Sequence, residues 1–263
     1  MSTTPNEPVL LRRDESWVAI LTLNRPHSLN ALSGELIDAL QAEFDRLAQD
    51  KEIRCVIIEA KGRAFSTGHD LREVASSRDY GFHHDLLTRC SAMMLSIRRL
   101  PQPVIAKVQA VATAAGCQLV AACDLAVASE EARFATSGIN VGLFCSTPAV
   151  ALTRNMSRKQ SFEMLMTGDF ITAAEAASRG LVNEAVPGDA LDAAVASLAG
   201  RIIAKSPLAV RTGKAMFYRQ IEQGVAAAYD YAGEIMAENM MAADAAEGID
   251  AFTGKRAPRW TGR

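Results

Sequence analysis

Two stretches of the 263-residue chain share one format. Each has an apolar run, then a turn of small residues with a glycine, then a helical or polar segment. The first is Phe65-Ser66-Thr67-Gly68-His69-Asp70. The second is Ala112-Thr113-Ala114-Ala115-Gly116-Cys117-Gln118. Small side chains let a ligand approach the backbone, and the first N–H groups of a helix have no intrahelical partner. With the positive end of the helix dipole they suit a developing negative charge. Two such N–H groups, from separate turns and aimed at one point, would stabilise charge on a thioester oxygen as an enolate or tetrahedral species forms. Backbone donors leave no side-chain signature, so the spacing alone leaves a packing role open for both turns.

The elements that must position these turns follow from periodicity. Strands are expected over 9–12 and 18–23, around a polar turn at 13–16. Ser33 reads as an N-cap for a helix whose apolar residues are Leu36, Ile37, Leu40, Phe44 and Leu47. The charge-bounded run 55–58 reads as a buried strand. A helix over 86–100 carries Met93, Met94, Ile97 and Leu100 as its packing stripe. Pro101 and Pro103 end it. A strand over 104–111 leads into the second turn and a helix over 117–123, then a strand over 125–128. Residues 134–150, with Gly138, Gly142 and Pro148, read as loop. Beyond a helix over 157–166, Thr172 and Glu175 form a capping box, Gly180 stops that helix, and 181–186 is extended. Helices then cover 191–204, 208–223 and 226–242, with a last short one at 247–252 before a basic tail. Strands and helices alternate up to about Ser157, and helix dominates afterwards. The fold class is therefore α/β with a helical C-terminal part. No linker, low-complexity stretch or sequence repeat interrupts the chain.

Composition narrows the function classes. A net charge of −2 supplies no basic field for nucleic acid or an anionic membrane. No window approaches a transmembrane span. Residues 1–8 are polar and lack the apolar core of a signal peptide. Five cysteines, an odd number at irregular spacing, argue against a disulfide framework and for a reducing compartment, and a cytoplasmic location is expected. No Cys/His cluster has zinc spacing, and the adjacent His83 and His84 read as a solvated pair.

Over nearly its whole length the text resembles the crotonase, or enoyl-CoA hydratase/isomerase, superfamily. The residues that carry the resemblance are Leu23-Asn24-Arg25-Pro26 with Asn30-Ala31-Leu32, then Ala64 through Leu71, Pro103 through Lys107, and Ala114 through Leu119 with Cys123-Asp124. Leu165 through Gly168, Gly180-Leu181-Val182 and Glu247 through Phe252 complete the set. The resemblance implies a spiral of β-β-α units over 1–200 and a helical trimerisation region over 201–263, often assembled as a trimer or a hexamer. It implies an acyl-CoA thioester held between two backbone N–H groups, which fall on His69 and Ala115, with coenzyme A as part of the substrate and no separate cofactor. Ser66, Thr67, Asp70 and Leu71 are implied to line the CoA site. Phe252 and Lys255 match the place where a neighbouring subunit touches the CoA nucleotide, although Lys255 also reads as a solvated tail residue. The His69 side chain has no role implied beyond its amide.

The sequence departs from the family pattern at the acid–base positions. The hydratases resembled use two glutamates, and here Gln118 and Gly138 stand in their places. A Gln amide does not titrate near neutral pH, so it orients water or hydrogen-bonds a carbonyl but cannot act as a general base. Gly138 has no side chain. Losing one acid–base group typically costs about 10²–10⁴ in rate. Asp124, the nearest carboxylate, reads as part of a structural turn. Cys145 reads as lining the acyl pocket; as a nucleophile it would need a positioned His, and only His69 lies near. The expected function is an acyl-CoA-binding member with chemistry other than ordinary hydration: isomerisation, thioester hydrolysis or decarboxylation. A weak hydratase and a non-catalytic acyl-CoA-binding protein are the alternatives.

Overall fold

The structure, a computed structural model, describes residues 7–263. Most of the polar segment at 1–8 lies outside them. The chain opens with an antiparallel hairpin of β1 (Leu10–Glu15) and β2 (Val18–Leu23). Its turn falls on Ser16 and Trp17, both at positive φ (48° and 68°), which suits a two-residue hairpin turn. The polar stretch 13–16 is therefore mostly strand, not turn. Its charge reflects an edge position, where Arg13 donates to Glu59 at 2.5 Å. Helix α1 (Gly34–Gln49) follows, with the Ser33 hydroxyl accepting from Leu36 N–H.

Three β-β-α units come next. They are β3 (Cys55–Ala60) and β4 (Ala64–Ser66) with α2 (Leu71–Ala75) and α3 (Tyr80–Arg99); β5 (Val104–Val108) and β6 (Val111–Thr113) with α4 (Ala115–Ala122); and β7 (Leu125–Ser129) and β8 (Arg133–Ala135) with α5 (Ser146–Leu152). The chain continues through α6 (Arg158–Thr167), β9 (Ile171–Thr172), α7 (Ala173–Ser178), β10 (Glu184–Val186), α8 (Leu191–Ile203), α9 (Pro207–Gln220), α10 (Val225–Met240) and α11 (Ala243–Thr253). The first strand of each unit joins a six-stranded sheet, order β1-β2-β3-β5-β7-β10. The second joins a four-stranded sheet, order β4-β6-β8-β9. This alternation is the spiral: a repeated unit with no repeated sequence.

It also explains a difference from the sequence reading. The β-branched run 104–111 is not one strand. It bends at Gln109 and Ala110 and passes from the large sheet to the small one. Every residue of β2 is buried. Ala19, Leu21 and Leu23 face the main core with α1, α3 and α4, and Val18 and Ile20 face a second cluster under α8. A strand covered on both faces reads as an unbroken apolar run. Residues 134–150 are more ordered than expected: β8, a short 3-10 turn (Ser137–Val141) and α5 lie there. Among the described residues no single helix is long and apolar enough to cross a membrane.

Candidate functional site

The loop between β4 and α2 is clamped by the segment just before α1. Buried Asn30, at φ 52°, donates through Nδ2 to the carbonyls of Lys61 and Ala64, both at 2.8 Å. The Ser66 hydroxyl donates to Asn30 O. Arg25 donates to Ala31 O and pairs with Asp70 at 3.0 Å, and Asp70 also accepts from Arg72 N–H at the start of α2. Leu32 completes the clamp: its N–H donates to Gly68 O at 2.7 Å and its carbonyl accepts from Asp70 N–H at 3.2 Å. A parallel bridge engages alternate residues on one side. Residues 68 and 70 are taken up by Leu32, and the N–H of His69 between them has no acceptor among the described residues.

The second turn meets the first. A Cβ on Gly68, itself at φ 88°, would lie 3.0 Å from Ala115 N and 2.8 Å from Ala114 Cβ. A Cβ on Gly116 would lie 2.2 Å from Ser66 O. Glycine at both positions lets the two backbones touch. Ala114 holds φ 50°, ψ −123°, a conformation that favours glycine and costs a β-carbon-bearing residue of order 1–3 kcal/mol. Ala115 is the first residue of α4, and its N–H likewise has no acceptor among the described residues. Two free N–H groups thus sit on touching turns, one of them at the positive end of a helix whose eight residues are all buried.

The other end of α4 is saturated. Asp124 accepts from Val104 N–H (2.6 Å), Lys214 Nζ (2.6 Å) and Tyr218 OH (2.7 Å). Buried Lys214 also donates to the carbonyls of Ile97 and Gln102, each at 2.8 Å. Burial pushes the lysine pKa down, and Asp124 opposes that shift. The structural reading of Asp124 holds, and its partners tie α9 to the core.

Between these ends α4 forms one wall of a cavity of about 720 Å³. Gln118, Ala121 and Ala122 share a helical face and line it, the alanines leaving room. Ser91, Met94, Leu95 and Arg98 of α3 face it at the same helical spacing. Thr147, Val150 and Ala151 of α5, with Arg154 just after, form a third side. Phe217 and Tyr218 of α9, with Ile221 and Glu222 just beyond, close the fourth. Gln118 is buried and its Oε1 has no hydrogen-bond partner. A buried amide oxygen left unpaired is costly unless something else donates to it.

Of the residues named from the sequence, the structure brings His69 and Ala115 together and puts Gln118 one helical turn further on, at the cavity wall. The His69 ring nitrogens are buried, and burial lowers the pKa of the ring against the Leu32 backbone, which raises it. Ser66 and Asp70 spend their side chains inside the clamp, Thr67 donates weakly to Leu29 O at 3.5 Å, and Leu71 is exposed. Phe252 projects from α11 into solvent and Lys255 follows it; neither lines the cavity.

Cys145 does not line the cavity either. It is buried, and its thiol packs where a Cβ on Gly138 would be, 2.8 Å away; Leu143 O lies 2.6 Å from the same point. Burial raises the Cys145 pKa, against a Gly138 N–H that lowers it, which disfavours a nucleophilic thiolate. The loop has thus closed over the place where a side chain at 138 would stand. Sequence reasoning missed Arg98, Arg154, Tyr218 and Glu222, whose helices meet only in three dimensions. The one signal was the spacing of Ser91, Leu95 and Arg98, hidden beside the packing stripe of the same helix.

The fold and the paired turns define a crotonase-type protein. A family profile described as enoyl-CoA hydratase/isomerase matches residues 13–263, and the chain belongs to that family. Its sequence is 43% identical over 249 residues to rat enoyl-CoA hydratase domain-containing protein 3, mitochondrial, covering 95% of this chain and 83% of the relative. Among solved structures, enoyl-CoA hydratase of Mycobacterium smegmatis superposes with a TM-score of 0.95 at 54% identity, covering 97% of this chain and 99% of that one. Human enoyl-CoA hydratase domain-containing protein 3 gives 0.93 at 42% identity, covering 96% and 100%. The expected cytoplasmic location is corrected by these relatives, since those from rat and human carry the word mitochondrial in their names. All five cysteines are free and buried. Free thiols are compatible with more than one compartment and do not single out the cytoplasm.

Proposed function

We propose that the protein binds an acyl-CoA thioester and does chemistry other than ordinary hydration. The thioester oxygen sits between the N–H groups of His69 and Ala115, and the acyl chain runs along α4 past Gln118 into the cavity. The observation that carries this reading is the pair of N–H groups without acceptors on two touching turns, one helical turn before Gln118 on the cavity wall. In this reading the 66–71 loop meets the CoA moiety, Phe252 and Lys255 reach a neighbouring subunit's CoA, and the active form is a trimer or hexamer. Exposed Val225, Tyr229, Met236 and Met240 on α10 support such an assembly. Coenzyme A enters as part of the substrate, with no separate cofactor.

The oxyanion donors stabilise an enolate, each typically contributing about 10²–10³ in rate. No free base accompanies them. Gln118 does not titrate, Gly138 has no side chain, and the carboxylates bordering the cavity are engaged: Asp124 by Lys214 and Tyr218, Glu222 by Arg98 and Arg154. Gln118 is suited to hold a hydroxyl or water rather than to ionise it. A steady-state assay with crotonyl-CoA tests this. Little turnover is expected, and Gln118→Glu should raise it by about tenfold or more, since a carboxylate restores one acid–base group. Robust turnover by the unaltered protein would contradict the reading. Adding Gly138→Glu is expected to give no further gain, because Leu143 O and the Cys145 thiol occupy the space.

A further inference from the structure

The cavity ends in charge. The stripes of α3, α5 and α9 each run from apolar residues to a charged one, and these three meet. Glu222 accepts from Arg98 Nη2 at 3.2 Å and lies 3.4 Å from Arg154 Nε. The Arg98 guanidinium lies 4.5 Å over the Tyr218 ring, which fixes its plane. Asp124, the other carboxylate on the cavity wall, is balanced by Lys214. The two arginines against one glutamate therefore leave the distal end one positive charge in excess. A second hollow of about 680 Å³ shares Leu95, Arg98 and Tyr218 with the cavity. Arg99, Arg211 and Arg219 also line it, and no carboxylate does. The field behind Arg98 is thus positive as well.

From this geometry we propose that the acyl group carried by the thioester ends in a carboxylate, bound by Arg98 and Arg154 at the far end of the cavity. The inference rests on the acyl-CoA reading above and adds the substrate class. The apolar walls between Gln118 and Arg98, including Met94, Leu95 and Val150, take the methylene chain. Helix α4 from Ala115 to Ala122 is roughly 10 Å long, which an acyl chain of about eight carbons spans. In the structure Glu222 occupies the place of the ligand's carboxylate. It is half-exposed, just past the end of α9, and can turn to solvent when a ligand arrives. Planar guanidiniums held in place are the side chains best matched to a carboxylate.

The test is calorimetric titration of the full chain with octanoyl-CoA and with suberyl-CoA, its counterpart carrying a terminal carboxylate. Suberyl-CoA should bind about tenfold more tightly, as one charge-assisted interaction implies. Arg98→Met should erase the difference, bringing the two affinities together. Glu222→Gln should widen it, because the competing carboxylate is gone. This last variant carries the test if Arg98→Met does not fold. Octanoyl-CoA binding as tightly as suberyl-CoA, or a preference that survives Arg98→Met, would overturn the inference and leave the acyl-CoA reading standing. Failure of both esters to bind would overturn the two together.

Discussion

At its N-terminus, helix α4 presents on Ala115 an N–H that no described residue accepts, beside a second one on His69. Just past its C-terminus, Asp124 is filled by a backbone N–H, a lysine and a tyrosine. The same buried helix has one end left open and the other closed. The open end is made of backbone, and small residues alone keep it clear: Gly68 and Gly116 allow the turns to touch, and Ala114 bears a strained φ. The closed end is made mainly of side chains: Asp124, just past α4, and Lys214 and Tyr218 of α9. The difference separates two kinds of encoding. A backbone site survives changes in nearby side chains as long as the turns keep their approach. A side-chain site does not, and in the proposed function Gln118 and Gly138 offer no ionisable group beside the N–H pair.

The closed end gives the largest expected effect. Lys214→Ala leaves Asp124 buried without its cation and should destabilise the protein by about 3–5 kcal/mol in urea unfolding. A loss under about 1 kcal/mol would show that this end is not locked by charge. At the open end, Gly116→Ala puts a methyl 2.2 Å from Ser66 O. It should cost about 1–3 kcal/mol of stability and reduce acyl-CoA affinity by about tenfold or more, because the two turns must part. Unchanged affinity in a titration would mean that their contact does not set the N–H pair. The smallest effect runs the other way. Ala114→Gly relieves the strained φ and should raise stability by about 1 kcal/mol. A lower melting temperature in this variant would show that the backbone there is not under strain.

The sequence made the local parts of this arrangement legible. Ser33 caps α1 and Thr172 forms its box with Glu175, because caps depend on residues three apart. Strand β2 was visible because burial on both faces leaves an unbroken apolar run. Helix α5 was not, since Pro148 and small residues mask it. Proline in a first helical turn removes no hydrogen bond, and Pro148 is the third residue of α5. The bend between β5 and β6 was hidden because β-branched residues favour strand without saying which sheet receives it. The two turns were legible as candidates, but their contact was not, since it depends on parallel pairing of β4 with β6. The cavity was the least legible part. Its walls come from four helices far apart in the chain, and its charged end exists only where Arg98, Arg154 and Glu222 converge.

The central claim is a working N–H pair without a hydrating acid–base pair. Binding of a conjugated enoyl thioester such as cinnamoyl-CoA, followed by difference absorbance, tests both halves at once. The account predicts a red-shifted band, from polarisation of the carbonyl by the His69 and Ala115 N–H groups, that persists without decay to the hydrated product. Binding with no shift, or a shifted band that disappears through rapid hydration, would contradict it.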